Sequence, residues 1–360
     1  NPGTLQIVEG QKAITTISVA DLESGSAGVT QSISGGTDAA IFSITASGVL
    51  SFSIVTDFET PADDGADNVY DVTIQASDGD LSSTLDLSIT VVNAVEGRII
   101  DAPLSGSQVF VDLNESSTID GDEFSTNSDD SGFFSVQDSE PLSMFTSKIV
   151  SIGGTDTVTG KKLPNLALIS DVPSDSSKAV AVTPLTTIVS AASTPEAKQQ
   201  ILTALGITST VDELLTTDSW AQAQAGDATA IELQRKNAQI GLLLQTVEEL
   251  IDTDSVATDP IKAALEVTQS FSQQLATLAA TEASIDLTKT ETINTVLTQA
   301  IQSVEPASSV TADAISAVVS SVTNIVSLLA DSTVDPTSAT ATELITAAQT
   351  TLLSKVTDLV

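Results

Sequence analysis

The sequence predicts a multidomain chain: an N-terminal all-β part, made of a larger and a smaller β-sandwich, then a C-terminal all-α helical bundle. Three observations carry this. Apolar residues alternate with polar ones over short runs up to about residue 170, then recur at helical spacing from about residue 180. Eight of nine Phe, the only Tyr and sixteen of nineteen Gly precede residue 172. Beyond that point the chain is Ala, Leu, Thr, Ser and Gln. A run of strands followed by a run of helices predicts separate domains, placed here at 1–96, 97–172 and 183–360, with 173–182 as a linker.

Residues 1–96 hold short alternating runs: Ala13-Ile-Thr-Thr-Ile-Ser-Val19, Ala40-Ile-Phe-Ser-Ile44, Val49-Leu-Ser-Phe-Ser-Ile54, Val69-Tyr-Asp-Val-Thr-Ile74 and Leu85-Asp-Leu-Ser-Ile-Thr-Val91. Gly, Asp and Ser clusters separate them, which is the pattern of a sandwich of about seven strands. In order, Glu9 in Ile7-Val-Glu-Gly10, Asp21-Leu-Glu23, Gly48-Val-Leu-Ser-Phe52, Asp57-Phe-Glu-Thr-Pro61, Asn68-Val-Tyr-Asp71 and Ala76-Ser-Asp-Gly79 line up along the segment. Together they resemble a bacterial cadherin-like repeat. The resemblance implies acids converging at one end of the sandwich to hold calcium. It nominates Glu9, Asp57, Glu59 and Asp78, with Asp21 and Asp80 as further candidates. The family's Asn- and Asp-rich linker is reduced here to Val92-Asn-Ala-Val-Glu96, which leaves one site or none as the rival to a multi-ion site. Asp63, Asp64 and Asp67 are read as turn-forming or solvated acids.

Residues 97–172 contain Asp112-Leu-Asn-Glu-Ser-Ser-Thr-Ile-Asp-Gly-Asp-Glu123. Oxygen-bearing side chains fall at loop positions 1, 3, 5, 9 and 12 (Asp112, Asn114, Ser116, Asp120, Glu123), with the Thr118 carbonyl at position 7 and Ile119 at position 8. That is the spacing of a twelve-residue calcium loop. Ser117 stands where such loops need Gly for a sharp turn, and Ser116 replaces an Asp or Asn; both changes weaken affinity. A calcium staple and an acidic hairpin loop both stay open. The run Gly97 to Asn114 with Asp129-Asp-Ser-Gly-Phe-Phe134 is similar to the B-type repeats of bacterial serine-aspartate adhesins and to transthyretin-like sandwiches. Because the loop must hold the strands on either side of it, the expected ion is structural and not catalytic.

The segments Ile149–Gly154 and Leu166–Ser170 read as closing strands, and Asp171–Ser177 as linker. Thr183-Pro184, Thr194-Pro195 and Asp259-Pro260 each place an N-cap before a Pro at the first helical position. About eight helices follow, near 184–193, 195–205, 210–216, 228–252, 260–280, 288–304, 311–330 and 338–358. Stripes such as Ile315, Val318, Val319, Val322 and Val326 predict a bundle, and Trp220 an anchor for its short helices.

Composition narrows the function. With 48 acidic and 12 basic residues the net charge is −36, which repels nucleic acid and anionic membrane and attracts divalent cations. The absence of His and Cys removes thiolate or imidazole metal sites and the His-dependent nucleophiles, leaving oxygen ligands, the kind that the twelve-residue loop offers Ca2+. No apolar run is long enough to span a bilayer, and Asn1-Pro-Gly-Thr starts directly on strand-like sequence, as expected of a processed chain or an excerpt. Paired acids such as Glu248-Glu249 are read as solvated helix ends, so no enzyme is expected.

The expectation is an extracellular bacterial surface protein, an adhesin, matrix, surface-layer or filament component. Its partners are other copies or neighbouring modules, its β-modules are stiffened by calcium, and its helices drive assembly. The rival expectation is an adhesion module that binds a glycan or peptide, which needs a pocket; the single Trp and single Tyr argue against a sugar platform.

Overall fold

A computed structural model describes residues 3–20, 28–114, 116, 119, 123–136, 147–175, 177–251, 260–304 and 312–357. The chain divides into two compact units; the described residues of the first lie within 3–94 and those of the second within 95–357.

The first unit is a sandwich of seven strands among the described residues: β1 (Gly3–Val8), β2 (Ala13–Thr16), β3 (Thr30–Gly35), β4 (Phe42–Ile44), β5 (Val49–Phe52), β6 (Val69–Ser77) and β7 (Ser82–Val92). One sheet runs β1-β7-β6-β3, with β1 parallel to β7 and the other pairs antiparallel; the second runs β2-β5-β4. This is the immunoglobulin-like Greek key whose architecture cadherin domains share. The alternation seen in the sequence is the burial pattern. Tyr70, Val72 and Ile74 on β6 and Leu87, Ile89 and Val91 on β7 point inward, with Leu50 and Phe52 from the facing sheet. At the centre, Phe52 stacks on Phe42 with ring centroids 4.9 Å apart and meets Tyr70 edge-on at 5.1 Å, a geometry that adds to simple burial. The Tyr70 hydroxyl accepts a hydrogen bond from Ala62 N at 3.1 Å, so the buried ring keeps a polar partner.

The second unit opens with strands β8 (Val95–Ile99), β9 (Leu104–Ser105), β10 (Gln108–Asp112), β11 (Ser125–Asn127), β12 (Phe133–Val136), β13 (Lys148–Ile152), β14 (Thr155–Asp156), β15 (Ala167–Asp171) and β16 (Val180–Val182). They form sheets ordered β11-β10-β13-β15, β12-β8-β16 and β14-β9. Nine helices follow among the described residues: α1 (Pro184–Ser190), α2 (Pro195–Ala204), α3 (Val211–Thr216), α4 (Ser219–Gln224), α5 (Ala228–Leu250), α6 (Pro260–Thr281), α7 (Thr290–Val304), α8 (Ala312–Leu329) and α9 (Ala339–Thr357). Eight match the periodicity. The ninth, α4, was not expected from the sequence and carries Trp220. Thr183 caps α1 through a reciprocal pair of bonds with Thr186, and Thr194 caps α2, as Thr-Pro predicted. Asp259 lies outside the described residues.

The expected separation of a β-module at 97–172 from a bundle at 183–360 is not what this unit shows. Strands β10, β13 and β15 are buried on both faces. Val109, Val111, Ile149 and Leu168 join a core that continues through α1, α2 and α5–α9, while Phe110, Val150 and Ile169 on the opposite face lie under Ala264 and Leu265 of α6. The two faces of this sheet thus share their cores with the helices, and the β-part and the bundle fold as one unit. The expected linker at 173–182 ends in the buried strand β16, which pairs parallel with β8.

Helix α5 is the axis of this unit and is buried almost all round. One of its interior polar side chains fixes two neighbouring helices. Asn237 Oδ1 accepts from Leu185 N at 3.0 Å in the first turn of α1, and its Nδ2 donates to Ser219 Oγ at 3.1 Å, at the start of α4. One side chain thus terminates two helices against a third. Asn237→Ala is expected to lower the stability of the second unit by about 2 kcal/mol or more, because the Leu185 N–H is left buried without an acceptor. Urea denaturation followed by Trp220 emission reads this.

Candidate metal centre

Glu9 follows β1 and is buried, 6% exposed. Its backbone extends the β1–β7 ladder through a bond from Glu9 N to Val92 O of 3.0 Å, and the next residue turns away at φ 76° through Gly10. The carboxylate is therefore directed between two other segments. Oε2 accepts from Phe58 N at 2.7 Å and Oε1 from Ala94 N at 2.8 Å. Buried and charged, Glu9 is held by charge-assisted bonds to backbone N–H groups.

Asp57 and Glu59 are exposed and two residues apart, a spacing that in an extended segment places both side chains on one side. The segment is fixed on Glu9 through Phe58 N and on Asn68, whose Nδ2 donates to Phe58 O at 2.9 Å. Asp57 Oδ1 accepts from Thr60 N at 2.9 Å, and Glu59 Oε1 accepts from Asn93 Nδ2 at 3.0 Å. One oxygen from each of Glu9, Asp57 and Glu59 lies within 4.8 Å of the other two, the one such grouping of three acids among the described residues. Burial and then the charges of Glu9 and Asp57 push the Glu59 carboxyl above its usual range. Part of that rise comes from like charges held close together, which a cation relieves. Hard oxygen donors at this spacing fit calcium, and Glu9, Asp57 and Glu59 are the residues that would hold it, with water or further oxygens completing six to eight ligands.

Asp78 does not join them. It sits in the turn between β6 and β7, where Oδ1 accepts from Asp80 N at 2.9 Å and Leu81 N at 2.7 Å. The register Val69↔Thr90 through Ser77↔Ser82 puts this turn at the opposite end of the hairpin from Glu9. Nine residues of strand separate the two ends by roughly 26 Å. Asp80 shares the Asp78 turn, and Asp21 lies outside the described residues. Asp63 is a turn former, as expected, accepting from Asp67 N at 3.0 Å and Asn68 N at 3.1 Å. Asp38 does the same for Asp64 N and Asp71 N, both at 2.8 Å, a structural role that its sequence context did not signal. Asn93 was read only as linker; its place one residue before Ala94, at the end of β7, brings it to Glu59.

In the twelve-residue loop, Asp112 ends β10 and is buried, and its Oδ1 accepts from Ser116 N at 3.1 Å. Asn114 Oδ1 also accepts from Ser116 N, at 2.8 Å, and Glu123 Oε1 accepts from Leu113 N at 3.0 Å. The two ends of the loop are thereby tied together. Ile119 packs on the Phe110 and Val150 face. Thr118 and Asp120 lie outside the described residues. Glu248, read from sequence as a solvated helix end, is buried, 7% exposed, and its carboxylate accepts the Ala167 N–H.

No family model matches the sequence, and no curated protein is similar to it. Among solved structures, the chain is similar to protocadherin gamma B2 extracellular cadherin domains 1–5, at 15% identity and TM-score 0.21, over 43% of this chain and 35% of that one. It is also similar to Drosophila N-cadherin EC1-4, at 17% identity and TM-score 0.22, over 42% and 44%, and to human protocadherin-24 EC1-2, at 16% and 0.21, over 47% and 94%. The chain spans under half of the length of the first two.

Proposed function

We propose that this chain is an extracellular, adhesion-type structural protein of a bacterial surface, in which calcium bound by Glu9, Asp57 and Glu59 stiffens the sandwich. The convergence of these three acids carries the reading. A net charge of −36 supports it, since cation binding offsets self-repulsion. No helix among the described residues is long and apolar enough to cross a membrane. The loop at Asp112, Asn114, Ser116, Thr118, Asp120 and Glu123 is proposed as a second, structural calcium site in the other unit. Self-association through the helical part, or with neighbouring modules, completes the reading.

Thermal unfolding with calcium and with chelator, followed in parallel by sedimentation, tests it. One calcium bound to the folded state alone stabilises by about 2.7 kcal/mol when free calcium is roughly 100 times the Kd. The expected outcome is a raised melting temperature and a larger particle in calcium. Superimposable melting curves and a monomer in both conditions overturn the proposal. A raised melting temperature with unchanged size overturns the assembly part and favours an adhesion module that binds a glycan or peptide.

A further inference from the structure

The face of α5 that meets the β-part of its unit carries Gln234, Gly241, Gln245 and Glu248, at spacings of seven, four and three residues, so all four share one stripe. Asp101, in the turn after β8, is seated on this stripe. Gln234 Nε2 donates to its carbonyl oxygen at 3.2 Å and Gln245 Nε2 to Oδ2 at 3.0 Å. Its carboxylate fills the space a side chain at 241 would need: a Cβ there would lie 2.1 Å from Oδ1. Only glycine admits the acid.

Four further charged groups face this carboxylate or its neighbour. Asp156 ends β14, Glu248 and Glu249 come from α5, and Lys161 from the loop beyond β14 is 3.6 Å from Glu249. Glu248 Oε1 is buried without a hydrogen-bond donor. Beside Asp101 is a cavity of about 20 Å3 bordered by Asp156, Trp220, Gln234 and Gln245, room for a single water.

We propose that Asp101 and Glu248 form a proton-binding element that tightens the packing of α5 on the β-part of its unit as the medium acidifies and loosens it as the medium becomes alkaline. Burial and the charge of Asp156 push the Asp101 carboxyl up to about 7, and burial, with Glu249 and Asp101 nearby, pushes Glu248 up as well. An unfolded Asp releases its proton near pH 4, roughly three pH units earlier. Between those values the folded chain holds more protons than the unfolded one. Its stability is therefore greatest at the acid end and is lost as pH rises through about 7.

Trp220 is the single Trp of the chain and borders the cavity, so its emission reports the ionisation and the melting of this unit alone. Titration of the full chain from about pH 5 to about pH 9 is expected to show an emission change centred near 7, with a melting temperature that falls over the same interval. In Asp101→Asn the emission change is expected to vanish and the alkaline melting temperature to rise. In Glu248→Gln the change near 7 is expected to persist, because the charge of Asp101 raises Glu248 and not the reverse. A flat wild-type profile overturns the proposal, as does an identical profile in wild type and Asp101→Asn. Should Asp101→Asn fail to fold, carboxyl-carbon NMR of the wild type decides: a spectrum with no carboxyl titrating near 7 overturns it.

Discussion

Gly97→Ala is expected to cost the second unit about 3 kcal/mol or more and to leave the sandwich untouched. Gly97 lies mid-strand in β8, between β12 and β16. A Cβ at this position would stand 2.0 Å from Val180 O and 2.9 Å from Phe134 Cζ. Both neighbours are buried and backbone on one side is fixed, so neither can yield cheaply. Either β16 retreats and the Val180↔Gly97 pairing is lost, or Phe134 leaves its place in the core. The damage spreads along the chain, because β16 delivers Thr183, the cap of α1, and Ile100 N bonds Val182 O at 2.8 Å. Differential scanning calorimetry reads this as a lowered transition for the second unit beside an unchanged one for the first. A Gly97→Ala protein whose two transitions both match wild type would contradict the role assigned to β16.

Glu9→Ala is expected to destabilise the sandwich by about 3 kcal/mol in the presence of chelator, before any question of metal arises. The substitution leaves Phe58 N and Ala94 N without their acceptor and frees the 57–59 segment from the end of β1. Asp57→Asn separates this structural role from ion binding. Asp57 is exposed and its amide analogue still accepts from Thr60 N, so stability in chelator should match wild type within about 0.5 kcal/mol. With calcium present, wild type should gain stability and Asp57→Asn should gain little, because one charged ligand of three is gone. Equal calcium responses in the two proteins would remove Asp57 from the metal centre.

Much of the sandwich was legible because its strands are half-buried. Tyr70-Asp-Val-Thr-Ile74 writes the inward and outward faces as alternating letters, and turn residues mark the ends. Caps were legible for a similar local reason: Thr183 and Pro184 act on groups within one turn. Glu9 and the Asp57-x-Glu59 pair were found through their sequence context, but their meeting depends on Ala94 and Phe58 N–H groups that lie 85 and 49 residues away from Glu9 in the chain. Asp78 carries as good a local pattern and lands at the wrong end, because strand direction and register, not spacing, assign an end.

The second unit was legible only in pieces. Val109-Phe-Val111 and Ile149-Val150 are continuous apolar runs, and such a run does not say which cover lies on each face. The helix over Phe110, α6, comes about 155 residues later in the chain, so a β-module and a bundle read as separate domains although one core runs through both. Glu248-Glu249 shows the same limit: one acid is bridged to Lys161 and the other faces Asp101, a division set by the turn packed against α5.

The sequence by itself determined the order of most strands and helices, the caps, the absence of imidazole and thiolate groups, and an acidity that favours cations. Those properties are local or summed over the chain, so no knowledge of neighbours in space is needed. Tertiary structure alone decided which acids share a cluster, which are buried without a cation, and how far each core extends. These depend on contacts between distant segments, where a register or a covering helix changes the surroundings of a residue without changing a letter near it.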